Sequence, residues 1–265
     1  MKIKRKAHKG QNGKVLIVGG SEDYVGAVVL SGLAALRTGV DIVTLCAPEK
    51  VAWAINSYSP DLITKKFLGK ELDITHCKEI ISLSENYDVL LIGPGLGIKK
   101  DFVNKIVRTL EMPKVIDADA IKVVNISLIK NSLLTPHIQE FNSLFQNSFP
   151  EKKVEDNNDS LEEKIKEVKK IMNDNLILLK GEEDIIFNKK EQFKNRTGND
   201  TMTVGGTGDI LAGLCAGFLA QTGDFFKSAK EAAMINGKAG EYLSKRKGST
   251  YFASELIEEL WRFIK

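Results

Sequence analysis

Cysteine is scarce. The 265 residues hold three, Cys46, Cys77 and Cys215, widely spaced and odd in number. They make no C-x-x-C pair and no metal-ligand spacing, which excludes a redox dithiol and a zinc site of the usual pattern. Cys46 lies in the apolar run DIVTLCA and Cys215 in the apolar run after Asp209. Both read as buried small residues, and a reducing, cytoplasmic compartment is the default. Long apolar runs are lacking too. No stretch reaches 18 residues, so nothing is expected to span a membrane. The basic start, MKIKRKAHKG, is followed by no apolar h-region and reads as a solvated arm rather than a secretory signal. An excess of one charge is also missing: 38 Lys+Arg against 35 Asp+Glu leave +3. That is too little to argue for nucleic acid. Two phosphate-binding signatures are absent as well, GxxxxGK[ST] and GxGxxG; Gly19 and Gly20 followed by Ser21 make neither.

What is present is ordinary in composition, 43% hydrophobic and 28% charged. The length suits one large α/β domain or two small ones. Apolar runs that read as buried strands fall at residues 14–20, 41–47, 87–93, 114–118, 132–135 and 176–179. A hairpin is expected over 185–187 and 191–193, around residues 188–190. Helical spacing marks 25–37, 48–58, 102–110, 160–172, 210–220, 226–245 and 254–263. Residues 151–159 read as a surface loop. Strands alternating with helices predict a single three-layer α/β/α domain over residues 1–265, with a mostly parallel central sheet. Gly19 and Gly20, the glycines of residues 93–97, Asp117, Thr135 to His137, and Lys180 each follow an apolar strand. That edge of an open α/β sheet is where ligands bind.

The densest signal is NRTGNDTMTVGGTGDILAGL, residues 195–214. Gly205, Gly206, Thr207 and Gly208 run into Asp209 and then into an apolar, helix-like segment. Glycines let backbone N–H groups approach an anion, and a helix N-terminus behind them adds donors and partial positive charge. Asp209 at that hinge would take a proton from a hydroxyl attacking a bound phosphate. The competing reading makes Asp209 a helix N-cap. Similar pairs of readings hold elsewhere. His137, after Pro136, is a ligand contact or a cap. Lys180 is a phosphate contact or a solvated lysine. Asp117 and Asp119 sit where they would cap the helix that follows. GPGLG is a binding loop or a plain turn.

Several segments together resemble the NAD(P)H-hydrate dehydratase family of the ribokinase-like superfamily. They are KGQNGKVLIVGGSEDYVGA, LRTGVDIVTL with APEKVA, IGPGLG, VIDADAI, LTPHIQEF, LLKGEEDIIF, NRTGNDTMTVGGTGDILAGL and ASELIEEL, in the family's order and over nearly the whole chain. The resemblance implies a ribokinase-like fold. It also implies dehydration of the S-epimer of NADH or NADPH hydrate at the expense of ADP or ATP, with Mg2+. The added hydroxyl would be phosphorylated and phosphate then expelled. By the same resemblance Asp209 is the general base, and backbone groups of Gly206, Thr207 and Gly208 stabilise the moving phosphoryl group. Ala27, Gly97, His137 and Asp209 line the hydrate pocket. Lys180, Gly181, Glu182, Glu183, Asp184 and Gly208 lie along the adenine nucleotide. Glu140 would orient magnesium-bound water. Relatives imply a homotetramer and a separate NAD(P)H-hydrate epimerase acting on the same metabolite.

The chain departs from the family pattern in three places. Val28 follows Ala27 where the family has proline. Glu182, Glu183 and Asp184 follow Lys180-Gly181 where it has a small residue and then threonine, which sets acids beside a polyphosphate. Asn199, Asp200 and Thr201 replace its Asn-Pro-Gly. A ribokinase-like kinase of a small hydroxylated metabolite, or a non-catalytic nucleotide-binding module, would share the fold.

Overall fold

The computed structural model describes residues 10–152 and 160–264. Most of the basic arm and of the 151–159 loop therefore lies outside the described residues. One nine-stranded sheet runs β3-β2-β1-β4-β5-β6-β7-β8-β9. The strands are β1 (Lys14–Val18), β2 (Ile42–Pro48), β3 (Ile63–Phe67), β4 (Val89–Ile92), β5 (Lys114–Ile116), β6 (Ser132–Leu134), β7 (Leu176–Leu179), β8 (Asp184–Phe187) and β9 (Gln192–Asn195). From β3 to β7 every pairing is parallel; β8 and β9 turn back antiparallel. The mostly parallel sheet and the hairpin are as expected from the sequence. β3 (ITKKF) is an addition. Its side chains alternate outward, it pairs with β2 alone, and two lysines hide it from a search for apolar runs.

Alternate residues of each strand feed opposite layers, as the pleat requires. Val15, Ile17, Val43, Leu45, Val89 and Leu91 pack under α1 (Val25–Arg37), α2 (Glu49–Tyr58), α7 (Thr207–Thr222), α8 (Phe225–Lys247) and α9 (Ala253–Glu259). Leu16, Val18, Cys46, Leu90 and Ile92 pack under α3 (Cys77–Ser84), α4 (Lys100–Thr109), α5 (Ile138–Ser148) and α6 (Leu161–Ile171). All three cysteines are buried, Cys46 and Cys77 in the second layer and Cys215 in the first. Burial pushes the thiols of Cys46 and Cys215 far above their ordinary value. Among the described residues no helix is long and apolar enough to cross a membrane.

Strand order reverses between β1 and β4, and the loops after these two strands interlock there. Gly20 N–H donates to Pro94 O at 2.9 Å and Gly93 N–H to Val18 O at 3.1 Å. Gly93 has φ 124°, and a Cβ there would stand 1.9 Å from Asp117 O. Only glycine admits that backbone crossing.

A candidate phosphoryl-transfer site at two helix N-termini

Helices α1 and α7 run side by side in the same direction. A Cβ on Gly213 would meet Ser31 O at 2.1 Å, and one on Gly217 would meet Ala35 O at 2.9 Å. Two glycines four residues apart thus let the backbones touch. One turn earlier the same register sets Asp209 level with Ala27, so both helix N-termini open at one end of the sheet. The close approach comes from residues that look like mere small-residue filler in the sequence.

Gly206 caps α7 with φ 100°, and a Cβ there would lie 2.5 Å from Leu30 Cδ1. Asp209 is therefore the third residue of the helix, not its N-cap, and the capping reading is corrected. Glycine takes the cap because the chain must enter left-handed against α1. The Thr207 hydroxyl is spent on Met202 O and Val204 O at 2.8 and 3.0 Å. Thr207 N–H donates to Val204 O at 3.5 Å; the other first-turn amides lack internal partners by helix geometry and make a candidate anion hole. Asp209 is half-buried beside it, its carboxyl pushed up to about 7. Burial is the main cause, the charge of Asp117 adds to it, Lys180 opposes it and Glu140 adds again.

Lys180 is not a solvated lysine. Its side chain is 20% exposed and pairs with Asp117 Oδ1 at 3.3 Å and Glu140 Oε2 at 3.7 Å. Its Nζ lies 3.4 Å from where a Cβ on Gly208 would stand, so the ammonium hangs over the anion hole. Burial pulls its pKa down, but Asp117 and Glu140 outweigh that and the net shift is upward; the lysine stays charged. Asp117, 2% exposed, also accepts from Thr135 Oγ1 at 2.7 Å. It caps no helix by its side chain. The sequence places Asp117 at the ligand-binding edge of the sheet or as a cap, but not on its partner Lys180, 63 residues away.

Beside this cluster opens a cavity of about 1000 Å3. Lys180, Gly181, Glu182, Glu183 and Asp184 form one wall, residues 196–200 the facing one, and Thr207 and Gly208 the end. The predicted nucleotide residues are thus brought together. Met202, Thr203, Leu211, Ala233, Asn236 and Gly237 complete the lining, and the sequence assigns none of them to the nucleotide. Of the acids that depart from the family pattern, Glu183 is neutralised locally. Glu183 is flanked by Lys194 at 2.9 Å and Arg196 at 2.5 Å. Asp184 accepts from Gly181 N–H at 3.2 Å and Asn195 Nδ2 at 3.0 Å, stapling the turn. Asn199, in place of the family's asparagine-proline turn, caps the 3-10 turn Asp200–Thr203 by accepting from Thr201 N–H.

The predicted hydrate residues lie on the other side of Asp209. Ala27 Cβ abuts the GPGLG loop, 3.2 Å from a notional Cβ on Gly95. Gly97 N–H donates to Asp119 Oδ2 at 3.1 Å. His137 is the N-cap of α5, a helix unread in the sequence because Pro136 looked like a break. Its Nδ1 accepts from the Gln139 and Glu140 amides, and Glu140 accepts from His137 N–H in return. That capping box leaves His137 Nε2 facing Glu140 Oε1 at 3.4 Å. Cap and site residue are therefore compatible readings of His137.

A mostly parallel sheet between helical layers is a ribokinase-like fold. A family model described as NAD(P)H-hydrate dehydratase matches residues 15–262, and the chain belongs to that family. It is 40% identical over 265 residues to the bifunctional NAD(P)H-hydrate repair enzyme Nnr of Pyrobaculum aerophilum, covering 97% of this chain and 51% of that one. It is 36% identical over 269 residues to the ADP-dependent (S)-NAD(P)H-hydrate dehydratase of Nitrosopumilus maritimus, covering 99% and 92%. The crystal structure of ADP/ATP-dependent NAD(P)H-hydrate dehydratase from Bacillus subtilis, co-crystallised with ATP/Mg2+, superposes with a TM-score of 0.79 at 28% identity, over 98% of this chain and 92% of that one. The chain spans about half the length of the bifunctional relatives it matches.

Proposed function

We propose that the protein is an ADP- or ATP-dependent dehydratase of the S-epimer of NADH or NADPH hydrate, acting through one ribokinase-like domain over residues 1–265. The observation that carries this is the placement of Asp209: half-buried, in the first turn of a helix one turn before the contact with α1, and at the end of a nucleotide-sized cavity lined by Gly208 and Lys180. In this reading the nucleotide lies along Lys180, Gly181, Glu182, Glu183, Asp184 and Gly208. The hydrate lies against Ala27, Gly97 and His137. Asp209 takes the proton of the added hydroxyl as its oxygen bonds to the transferring phosphorus. Amides of Gly206, Thr207 and Gly208 hold the phosphoryl oxygens, with Lys180 above them. The ring-nitrogen lone pair then expels phosphate, leaving an iminium, and loss of a proton from the adjacent ring carbon to solvent restores the dihydropyridine. Phosphate leaves where hydroxide leaves poorly, so the nucleotide drives the elimination.

Among the described residues no group of three or more His, Cys, Asp or Glu could hold a metal ion. Glu140 and Asp117 supply carboxylate oxygens, the donor type magnesium takes, and both face the phosphoryl end through Lys180. They fit a magnesium ion that arrives on the nucleotide phosphates, with Glu140 acting through its water. That ion would neutralise phosphate charge. The reading also includes a cytoplasmic homotetramer and an epimerase acting on the other epimer. The bifunctional names of relatives support the epimerase.

The test is to incubate the protein with NADH hydrate and ATP or ADP. Return of dihydronicotinamide absorbance, with one free phosphate released per turnover, is the expected result. A phosphorylated product that persists would make the protein a kinase instead, and nucleotide binding without turnover would make it a binding module.

The raised carboxyl of Asp209 sets the pH dependence. Its folded value of about 7 lies above the ordinary 3.8, so folding tightens its hold on the proton. Folded stability from this group is therefore present at low pH and lost as pH rises through about 7. The base form gains over the same window. The kcat/KM for the hydrate is expected to rise between about pH 6 and 8 with an inflection near 7. Asp117→Asn removes a neighbouring negative charge and should move that inflection down. A profile flat across neutrality rules out Asp209 as the titrating base.

A further inference from the structure

We propose that Asp119 is the positioning residue for the hydrate side of the site, holding the loop that presents Gly97. The proposal rests on the reading that Gly97 touches the hydrate. Glycine loop 93–97 is anchored at its start by backbone: Gly93 N–H on Val18 O, Pro94 O under Gly20 N–H, and Leu96 N–H on Gly93 O. Its far end is tied by a side chain, the Asp119 carboxylate, through Gly97 N–H. Beyond Gly97 the chain is exposed at Ile98 until α4 begins at Lys100. Gly97 is thus the last fixed point before a solvent-facing stretch, and one carboxylate fixes it.

The same carboxylate is charge-balanced. Its second oxygen, Oδ1, accepts from Lys122 Nζ at 2.7 Å. The hydrogen bond to Asp119 is the main cause of a raised Lys122 pKa, so the lysine stays charged. A balanced pair can sit beside an anionic dinucleotide without repelling it, as a lone carboxylate would not.

The backbone explains why two acids two residues apart serve different partners. Ala118 has φ 50°, a left-handed conformation uncommon for alanine. In extended chain, Asp117 and Asp119 would share a face. The left-handed residue between them splits the pair. Asp117 turns to Thr135 and Lys180 at the phosphoryl end, and Asp119 turns to Gly97 and Lys122. Strain of this kind gathers at ligand clamps. One three-residue turn thus braces both halves of the site.

Two measurements decide the matter, steady-state kinetics and hydrogen exchange on the full chain. Asp119→Ala should raise KM for NADH hydrate about ten- to a hundredfold, with kcat and the KM for ATP nearly unchanged. Asp119→Ser, too short to span the gap, should behave alike. Asp119→Asn keeps an oxygen for the Gly97 amide and should recover most of the loss. Exchange at residues 96–99 should accelerate in the Ala and Ser variants, with residues 205–209 unaffected. An unchanged hydrate KM overturns the proposal, as does an equal fall in kcat and nucleotide affinity. Unaltered exchange at 96–99 overturns it independently of activity. If the unmodified protein fails to turn over NADH hydrate, the functional reading falls, while the exchange result still decides whether Asp119 holds the loop.

Discussion

Asp209→Asn should lower hydrate turnover about a hundredfold to ten-thousandfold while leaving nucleotide affinity nearly unchanged. The two effects separate because the two jobs belong to different atoms. In the proposed reading the base is a side-chain carboxylate, whereas phosphate would be held by first-turn amides of α7 and by Lys180. Asparagine keeps the shape and one oxygen but cannot take the proton. Capping cannot explain a loss, because Gly206 is the cap. The variant should also melt higher than the parent at about pH 8. There the parent must keep an ionised carboxylate buried beside Asp117, and the amide does not. The paired measurement is turnover and thermal melting at that pH. Near-normal turnover would remove Asp209 from the chemistry. A lower melting temperature would contradict the account of its raised carboxyl.

Gly213→Ala is expected to destabilise the fold by about 1–3 kcal/mol or more, a drop in Tm of roughly 4–10 °C for a chain of this size. Two effects compete. Alanine favours a helix interior over glycine by about 1 kcal/mol. Against that, its Cβ would stand 2.1 Å from Ser31 O and 2.9 Å from Ser31 C, which are backbone atoms of a packed helix and cannot swing aside. The helices must separate, and the strain outweighs the propensity gain. Separation also moves Ala27 from Asp209, so turnover should fall at temperatures where the variant is still folded. A variant as stable as the parent would show that α1 and α7 do not touch as described.

The phosphoryl-transfer end was legible because it is local. Residues 205–209 carry glycine, threonine and acid in one continuous run, and an apolar helix follows immediately. The nucleotide wall was legible for the same reason, as a strand end with its turn. Contacts over long separations were not. Nothing in the local chain at Asp117 tells that Lys180 will reach it, and both acids of residues 117–119 looked like caps. Secondary structure failed where a pattern was masked. Strand β3 hid behind its lysines. Helix α5 hid behind Pro136, although Phe141, Leu144, Phe145 and Ser148 mark one buried helical face. The concern over Glu182, Glu183 and Asp184 rested on charge alone. The hairpin answers it for Glu183, since β8 and the chain through β9 bring Lys194 and Arg196 back against that acid.

The buried cysteines have a use that chemistry at the site does not. A thiol reagent attacks the thiolate, and here the thiols are both covered and held protonated while the chain is folded. Labelling can then proceed only through opening. Cys46 and Cys77 belong to one side of the sheet and Cys215 to the other, packed within α7 itself. The chain carries, in effect, two silent clocks that start when either side comes loose. Equal labelling rates would mean the sandwich opens as one cooperative unit. Faster labelling of Cys215 would mean that the helix bearing the anion hole detaches first.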